Sequence, residues 1–174
     1  MDSGKSLRYH DPRRFACMLF HSGNVNNHKL LKHLGPEPLG EQFSGEYLHS
    51  KSKNRNTPVK QFIMNAQTVV GVGNIYACEA LFFSGINPKR SASKISIERY
   101  NKLAGNIKMV LQSSIKMGGT TLRDFVNEVG EPGYFKQSLM VYGREEEQCS
   151  KCGKSILRIV QTGRSTFYCP SCQR

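Results

Sequence analysis

Four cysteines close the chain as two C-x-x-C pairs, Cys149/Cys152 and Cys169/Cys172, with sixteen residues between the pairs. Each pair offers two thiolates that can converge on one tetrahedral Zn2+, and the spacer is long enough for a hairpin that returns the second pair to the first. Two disulfides are the alternative, and they would suit a small secreted chain. No signal peptide is visible, however, and Cys17 and Cys78 sit apart in apolar surroundings, so one structural zinc ion is the expectation. The spacer contains a turn, Thr162-Gly163-Arg164-Ser165, followed by Phe167 and Tyr168 on the returning strand. Such a module displays the Arg164 cation to an anionic partner and offers no catalytic pocket.

A second chemical signal lies at Val69-Val70-Gly71-Val72-Gly73-Asn74, which runs into the apolar stretch from Ile75 to Phe83 with Gly85 as its stop. Two glycines and an Asn build a tight turn at a helix N-terminus. Backbone N–H groups there point outward at the positive end of the helix dipole, and the Asn74 amide adds a directed donor, so the turn suits a phosphate. A dinucleotide site is not supported, because the third glycine of G-x-G-x-x-G is missing and no β-α-β unit surrounds the turn.

The charge agrees with a polyanion partner. The chain has 25 Lys and Arg against 13 Asp and Glu, a formal net charge of +12 and a pI near 9.6. The basic residues are spread over several elements, as on a folded surface that tracks phosphates, and no amphipathic basic helix suggests membrane binding. No apolar run is long enough to span a bilayer, so a soluble protein without membrane contact is expected, and its charged surface suits a monomer. The acidic run Glu145-Glu146-Glu147 reads as a solvated linker.

Residues 5–10 and 14–20 read as two strands joined at Asp11-Pro12-Arg13, and two strands alone do not make a stable sheet. Leu30, Leu31 and Leu34 predict a helix from Asn26 to the Gly35-Pro36 stop. Further helices are expected from Ser44 and from Thr57-Pro58, with Pro58 as the first helical residue. Val59, Phe62 and Ile63 give that last helix a buried face, from which the Lys60 ammonium can snorkel outward. The longest helix starts near Ser96, buries Tyr100, Leu103, Ile107, Val110, Leu111 and Ile115, and ends at Gly118-Gly119. The fold class is therefore mainly α with a small β part, a zinc-ribbon hairpin at the C-terminal end.

These pieces, in this order, resemble the formamidopyrimidine-DNA glycosylases of bacterial base-excision repair. The resemblance rests on Leu-Arg-Tyr-His-Asp-Pro-Arg-Arg-Phe (7–15), Leu-Gly-Pro-Glu-Pro-Leu (34–39), Gly-Glu-Tyr-Leu (45–48) and Val-Val-Gly-Val-Gly-Asn-Ile-Tyr-Ala (69–77). It continues through Gly-Gly-Thr-Thr-Leu-Arg-Asp-Phe (118–125), Val-Tyr-Gly-Arg (141–144) and the terminal cysteines. The endonuclease VIII branch shares the helical motif and ribbon, and the Thr-rich and Pro-Gly-Tyr-Phe segments favour the formamidopyrimidine branch. The resemblance implies a β-sandwich remnant over 1–22, a helix-two-turn-helix DNA-binding domain over 23–144 and a zinc ribbon over 145–174.

It also implies roles. Arg13 and Phe15 look like the wedge that fills the hole left by a flipped base and pries the stack apart. Lys60 and Asn74 look like phosphate clamps. Arg164 looks like the ribbon Arg that grips phosphates beside the lesion and donates the proton for δ-elimination. The implied partner is duplex DNA carrying an oxidised purine or abasic site, in the bacterial cytoplasm at the nucleoid. One departure dominates: the family begins Pro-Glu, whose amine attacks the sugar C1′, whereas this chain opens Met1-Asp2-Ser3-Gly4. Ala16, Cys78 and Asn56 are smaller departures. The chain alone is thus expected to bind DNA without catalysis, either as a truncated product or with a separate half supplying Pro-Glu. A zinc-ribbon module outside repair is the remaining alternative.

Overall fold

The computed structural model describes residues 4, 6, 9, 11, 16–119 and 135–174, which form two compact units, Met1–His33 and Leu34–Arg174. In the first unit, the Asp11 carboxylate accepts the Ala16 N–H (2.8 Å) and the Tyr9 hydroxyl (3.3 Å). Residues 16–20 form no strand, contrary to the expectation for 14–20, and Phe20 is 96% exposed. Met18 and Leu19 are exposed as well, so among the described residues no apolar layer covers this segment and holds it as a strand. The helix expected from Asn26 is also absent: a single 3-10 turn, Val25–Asn27, is followed by irregular turns. Asn24 Oδ1 takes the Asn26 N–H and His28 Nδ1 takes the Leu30 N–H, so side chains compete with the helical ladder. Leu30, Leu31 and Leu34 remain exposed.

The second unit is built on four helices, α1 (Gly45–Ser52), α2 (Val59–Met64), α3 (Asn74–Ser84) and α4 (Ile97–Lys116). The Ser44 hydroxyl caps α1 by accepting the Tyr47 N–H. Gly45 lies against the Asn101 backbone of α4, where any Cβ would overlap it, so the two helices meet at a distance only glycine permits. Pro58 stands just outside α2, at its cap, one position earlier than predicted. In α4 the expected core positions are buried, except that Ile115 is 65% exposed. Ser114 takes the inward place in that last turn and hydrogen-bonds the Tyr76 hydroxyl at 2.7 Å.

Helix α3 is apolar nearly all round because it is covered on two sides. Ala77, Ala80 and Leu81 join Val59, Ile63, Tyr100 and Leu103 in the helical core, while Cys78 and Phe82 pack with Val141, Ile156 and Phe167 below the ribbon. Gly85 ends the helix in the left-handed region (φ 69°). Between the two cores sits Glu79, 1% exposed, whose carboxylate accepts the N–H groups of Met140, Val141 and Tyr142 at 2.8–3.0 Å. This bond set holds the segment that leads into the ribbon.

Glu79→Gln is expected to destabilise the protein by roughly 2–3 kcal/mol, since its amide nitrogen would face a buried backbone N–H. Burial raises the Glu79 pKa, and the three N–H groups and Arg144 offset this only in part. A carboxyl whose folded pKa is raised contributes most below its unfolded pKa and loses that contribution as pH rises through the folded value. Urea melts should therefore show the gap between wild type and Glu79→Gln narrowing from pH 4 towards neutrality.

The ribbon hairpin pairs β1 (Leu157–Gln161) with β2 (Arg164–Tyr168), antiparallel, with Gln161 opposite Arg164. Thr162 (φ 49°) and Gly163 (φ 73°) form the two-residue turn, which requires left-handed conformations at both positions. The tip is thus Thr162-Gly163, and Arg164 is the first residue of β2. The acidic run before the ribbon is partly engaged: Glu147 pairs with Arg144 at 2.8 Å and Glu145 with Arg158 at 3.4 Å.

Candidate metal centre and phosphate cleft

The four ribbon cysteines converge. Their Sγ atoms all lie within 4.8 Å of one another, with Cys149 to Cys172 at 3.9 Å and Cys152 to Cys169 at 3.5 Å. Zn–S bonds of about 2.3 Å in a tetrahedron require sulfur separations of about 3.8 Å, so the set fits one Zn2+. The four thiols also need a cation to ionise together. The Lys154 N–H draws Cys152 down to about 7, whereas burial and the neighbouring sulfurs push Cys172 up to about 12. The ribbon carries one structural zinc site. Gln173 anchors it: its Oε1 accepts the Cys169 N–H (2.8 Å) and its Nε2 donates to the Ile86 carbonyl (2.9 Å) beyond α3. Arg99 adds bonds to the Gly85 and Arg174 carbonyls.

This anchoring sets the hairpin against the N-terminal turn of α3, where a cleft of about 280 Å³ opens. Lys60, Gln61, Asn65, Gly73, Gln161 and Arg164 are among its lining residues, and no carboxylate among the described residues lines it. The turn itself is held from behind, since the Tyr47 hydroxyl donates to the Thr68 carbonyl (2.9 Å) and Asn65 Oδ1 accepts the Gln67 N–H (2.9 Å). Gly71 supplies a left-handed conformation (φ 75°) and Gly73 caps α3. Asn74 is the first helical residue. Among the described residues, no acceptor meets the backbone N–H groups of Asn74 and Ile75.

Lys60 departs from its expected outward pose. It is 1% exposed, and its ammonium donates to Asn74 Oδ1 (2.5 Å), Thr166 Oγ1 (2.6 Å) and the Ser165 carbonyl (3.2 Å). Three protons meet three acceptors, joining α2, α3 and the ribbon at the cleft floor. Burial lowers the Lys60 pKa; the neighbouring Cys78 sulfur offsets part of this, and the Arg164 charge adds a smaller push downward. The Asn74 amide donates inward, to the Ser165 carbonyl at 2.9 Å and the Tyr142 hydroxyl at 3.5 Å. Arg164 is exposed at the rim. The arrangement can hold one anion between a guanidinium, a buried ammonium and a helix N-terminus.

The predicted site residues Lys60, Asn74 and Arg164 are thus brought together. Arg13 and Phe15 lie outside the described residues, as do Thr120, Thr121 and the loop 130–134. Phe135 is described and packs edge-on to Tyr76 at 6.0 Å. Thr166, Ser165 and Gln173 complete the site and carried no sequence signal, because each bonds to groups distant along the chain.

The fold and its cysteine centre define a helical domain with an appended zinc finger, and sequence comparison agrees. Residues 34–126 match the family described as the formamidopyrimidine-DNA glycosylase H2TH domain, and residues 146–174 match the zinc finger found in FPG and IleRS. The chain belongs to the formamidopyrimidine-DNA glycosylase family. It is 57% identical over 169 residues to the formamidopyrimidine-DNA glycosylase of Methylococcus capsulatus, covering 97% of this chain and 62% of that protein. The Marinobacter nauticus glycosylase is 55% identical over 170 residues, or 98% of this chain and 63% of that protein. The chain therefore spans less than two thirds of these relatives' length. The MutM (Fpg) crystal structure from Thermus thermophilus superimposes with a TM-score of 0.86 at 38% identity, covering 94% of this chain and 63% of that one. The Lactococcus lactis Fpg complex with abasic-site DNA gives 0.77 at 34% identity, covering 83% and 53%.

Proposed function

We propose that these residues are the DNA-gripping and zinc-bearing part of a formamidopyrimidine-DNA glycosylase, acting in base-excision repair in the bacterial cytoplasm. The observation that carries this reading is the cleft, where Arg164, Lys60 and the α3 N-terminus face a space into which no carboxylate of the described residues projects. A phosphate of duplex DNA beside an oxidised purine or abasic site occupies it. Arg13 and Phe15 fill and wedge the gap left by the extruded nucleotide, and Arg164 serves as proton donor in δ-elimination. The three parts, 1–22, 23–144 and 145–174, correspond to sandwich, DNA-binding domain and ribbon, and the protein works as a monomer.

Excision also requires an amine poised at the sugar C1′. The buried Lys60 has all three ammonium protons bonded to Asn74, Ser165 and Thr166, so its side chain supplies no such amine. The purified 174-residue polypeptide is therefore expected to bind a duplex containing an abasic analogue while giving no adduct on borohydride treatment. Addition of a β-sandwich domain beginning Pro-Glu should restore trapping. Fluorescence anisotropy and gel trapping measure the two properties. Failure to prefer that duplex over a single-chain polyanion such as heparin would refute DNA binding, and a strong adduct from the polypeptide alone would refute the account of the amine.

A further inference from the structure

One polar group in the cleft wall is left over. Gln161 closes β1 opposite Arg164, across the Thr162-Gly163 turn, and its half-buried side chain lines the cleft. Its Nε2 donates to the Pro88 carbonyl at 3.4 Å, and the same carbonyl takes the Lys60 N–H at 3.5 Å, so both bonds are long. The Gln161 Oε1 is buried and meets no donor among the described residues. The opposite setting of the amide would place the oxygen against the Pro88 carbonyl, so the unpaired end is the acceptor.

The polar groups around it are either spent or donors. Lys60 and the Asn74 amide are bonded inward, and Asn65 Oδ1 holds the Gln67 N–H. The Arg164 guanidinium and the N–H groups of Asn74 and Ile75 are left to face a ligand, and all of them donate. A phosphate satisfies these donors but gives Gln161 Oε1 nothing, because a phosphodiester only accepts and a deoxyribose within the strand has no hydroxyl. The donors that paired DNA offers are the exocyclic amino groups of its bases, guanine N2 in the minor groove and adenine N6 or cytosine N4 in the major groove.

We propose that Gln161 is a specificity-determining residue, whose amide turns from the wall and accepts a hydrogen bond from the exocyclic amino group of a base near the phosphate held by Arg164. The inference rests on the reading of the cleft as a DNA phosphate site. Turning the amide gives up one long bond and ends the burial of an unpaired oxygen. Directly opposed residues of an antiparallel pair have Cβ atoms about 5 Å apart, which confines the base that is read to the few pairs nearest that phosphate. Contacts to phosphate carry no sequence information, so this one residue gives the cleft a preference among sequences that its cations cannot supply.

The test uses duplexes with an abasic analogue in which the amino groups of the surrounding pairs are deleted one at a time. Inosine for guanine removes the minor-groove amine, while purine for adenine and pyrimidin-2-one for cytosine remove those of the major groove. Wild type should lose about three- to tenfold in affinity at one position, the strength of a single hydrogen bond, and the substitution that produces the loss identifies the groove. Gln161→Leu should bind the original and the deleted duplex alike at that position, as should Gln161→Met, which keeps the length of the side chain without its amide; thermal melts check that both fold. No loss at any position, or equal losses in wild type and both variants, with Arg164→Ala still lowering the salt slope, would overturn the role of Gln161 and leave the cleft standing. If Arg164→Ala leaves that slope unaltered, the cleft reading fails and this inference fails with it.

Discussion

Chelation of the zinc is expected to unfold the ribbon and abolish DNA binding while leaving most helical signal in place. Structural zinc contributes on the order of 10–16 kcal/mol in modules of this size. A two-stranded hairpin has little else to hold it. Its loss would release Ser165 and Thr166 from Lys60 and expose Phe82, which packs with Phe167 and the Cys149 and Cys169 side chains. The core formed by α1 to α4 contains Leu48, Ile63, Leu81 and Leu103 and is independent of the sulfurs. Circular dichroism and anisotropy before and after chelation measure the two effects. Metal analysis under reducing conditions should find about one equivalent. A metal-free protein that keeps its hairpin and its affinity would contradict the assignment.

The second large effect is expected from Lys60→Met. Methionine replaces the stem but leaves Asn74 Oδ1 and Thr166 Oγ1 buried without their donor, while the Ser165 carbonyl keeps its bond from Asn74. Two orphaned acceptors cost about 2–5 kcal/mol together. The variant should also lose DNA affinity, because the junction that aligns the hairpin with the α3 turn has gone along with the charge. Thermal melts and binding curves check both parts. A variant as stable as wild type would show that the Lys60 bonds contribute nothing net.

The sequence was informative where the cause of a feature is local. The C-x-x-C spacing, the Gly-x-Gly-Asn turn, the Ser44 and Ser96 caps and the period of α4 each depend on residues within a few positions of one another. Lys60 could not be read this way, since two of its three partners lie more than a hundred residues away on the ribbon. Its position on α2, beside Val59 and Phe62, signalled only a helix edge. Glu79 was equally hidden, because a carboxylate inside an apolar helix reveals its role only once the 140–142 backbone is laid across it. The reverse error occurred at Leu30, Leu31 and Leu34, where apolar spacing suggested a helix that local Asn and His side chains divert.

The claim that the cleft holds a phosphate of duplex DNA is tested most directly through Arg164. This residue begins β2 and is exposed, so Arg164→Ala should keep the zinc and the fold. The measurement is the salt dependence of binding to an abasic-analogue duplex. A guanidinium that neutralises one phosphate makes the log–log slope steeper by about one, and the variant should lose that increment together with affinity. Identical slopes for wild type and Arg164→Ala would contradict the account.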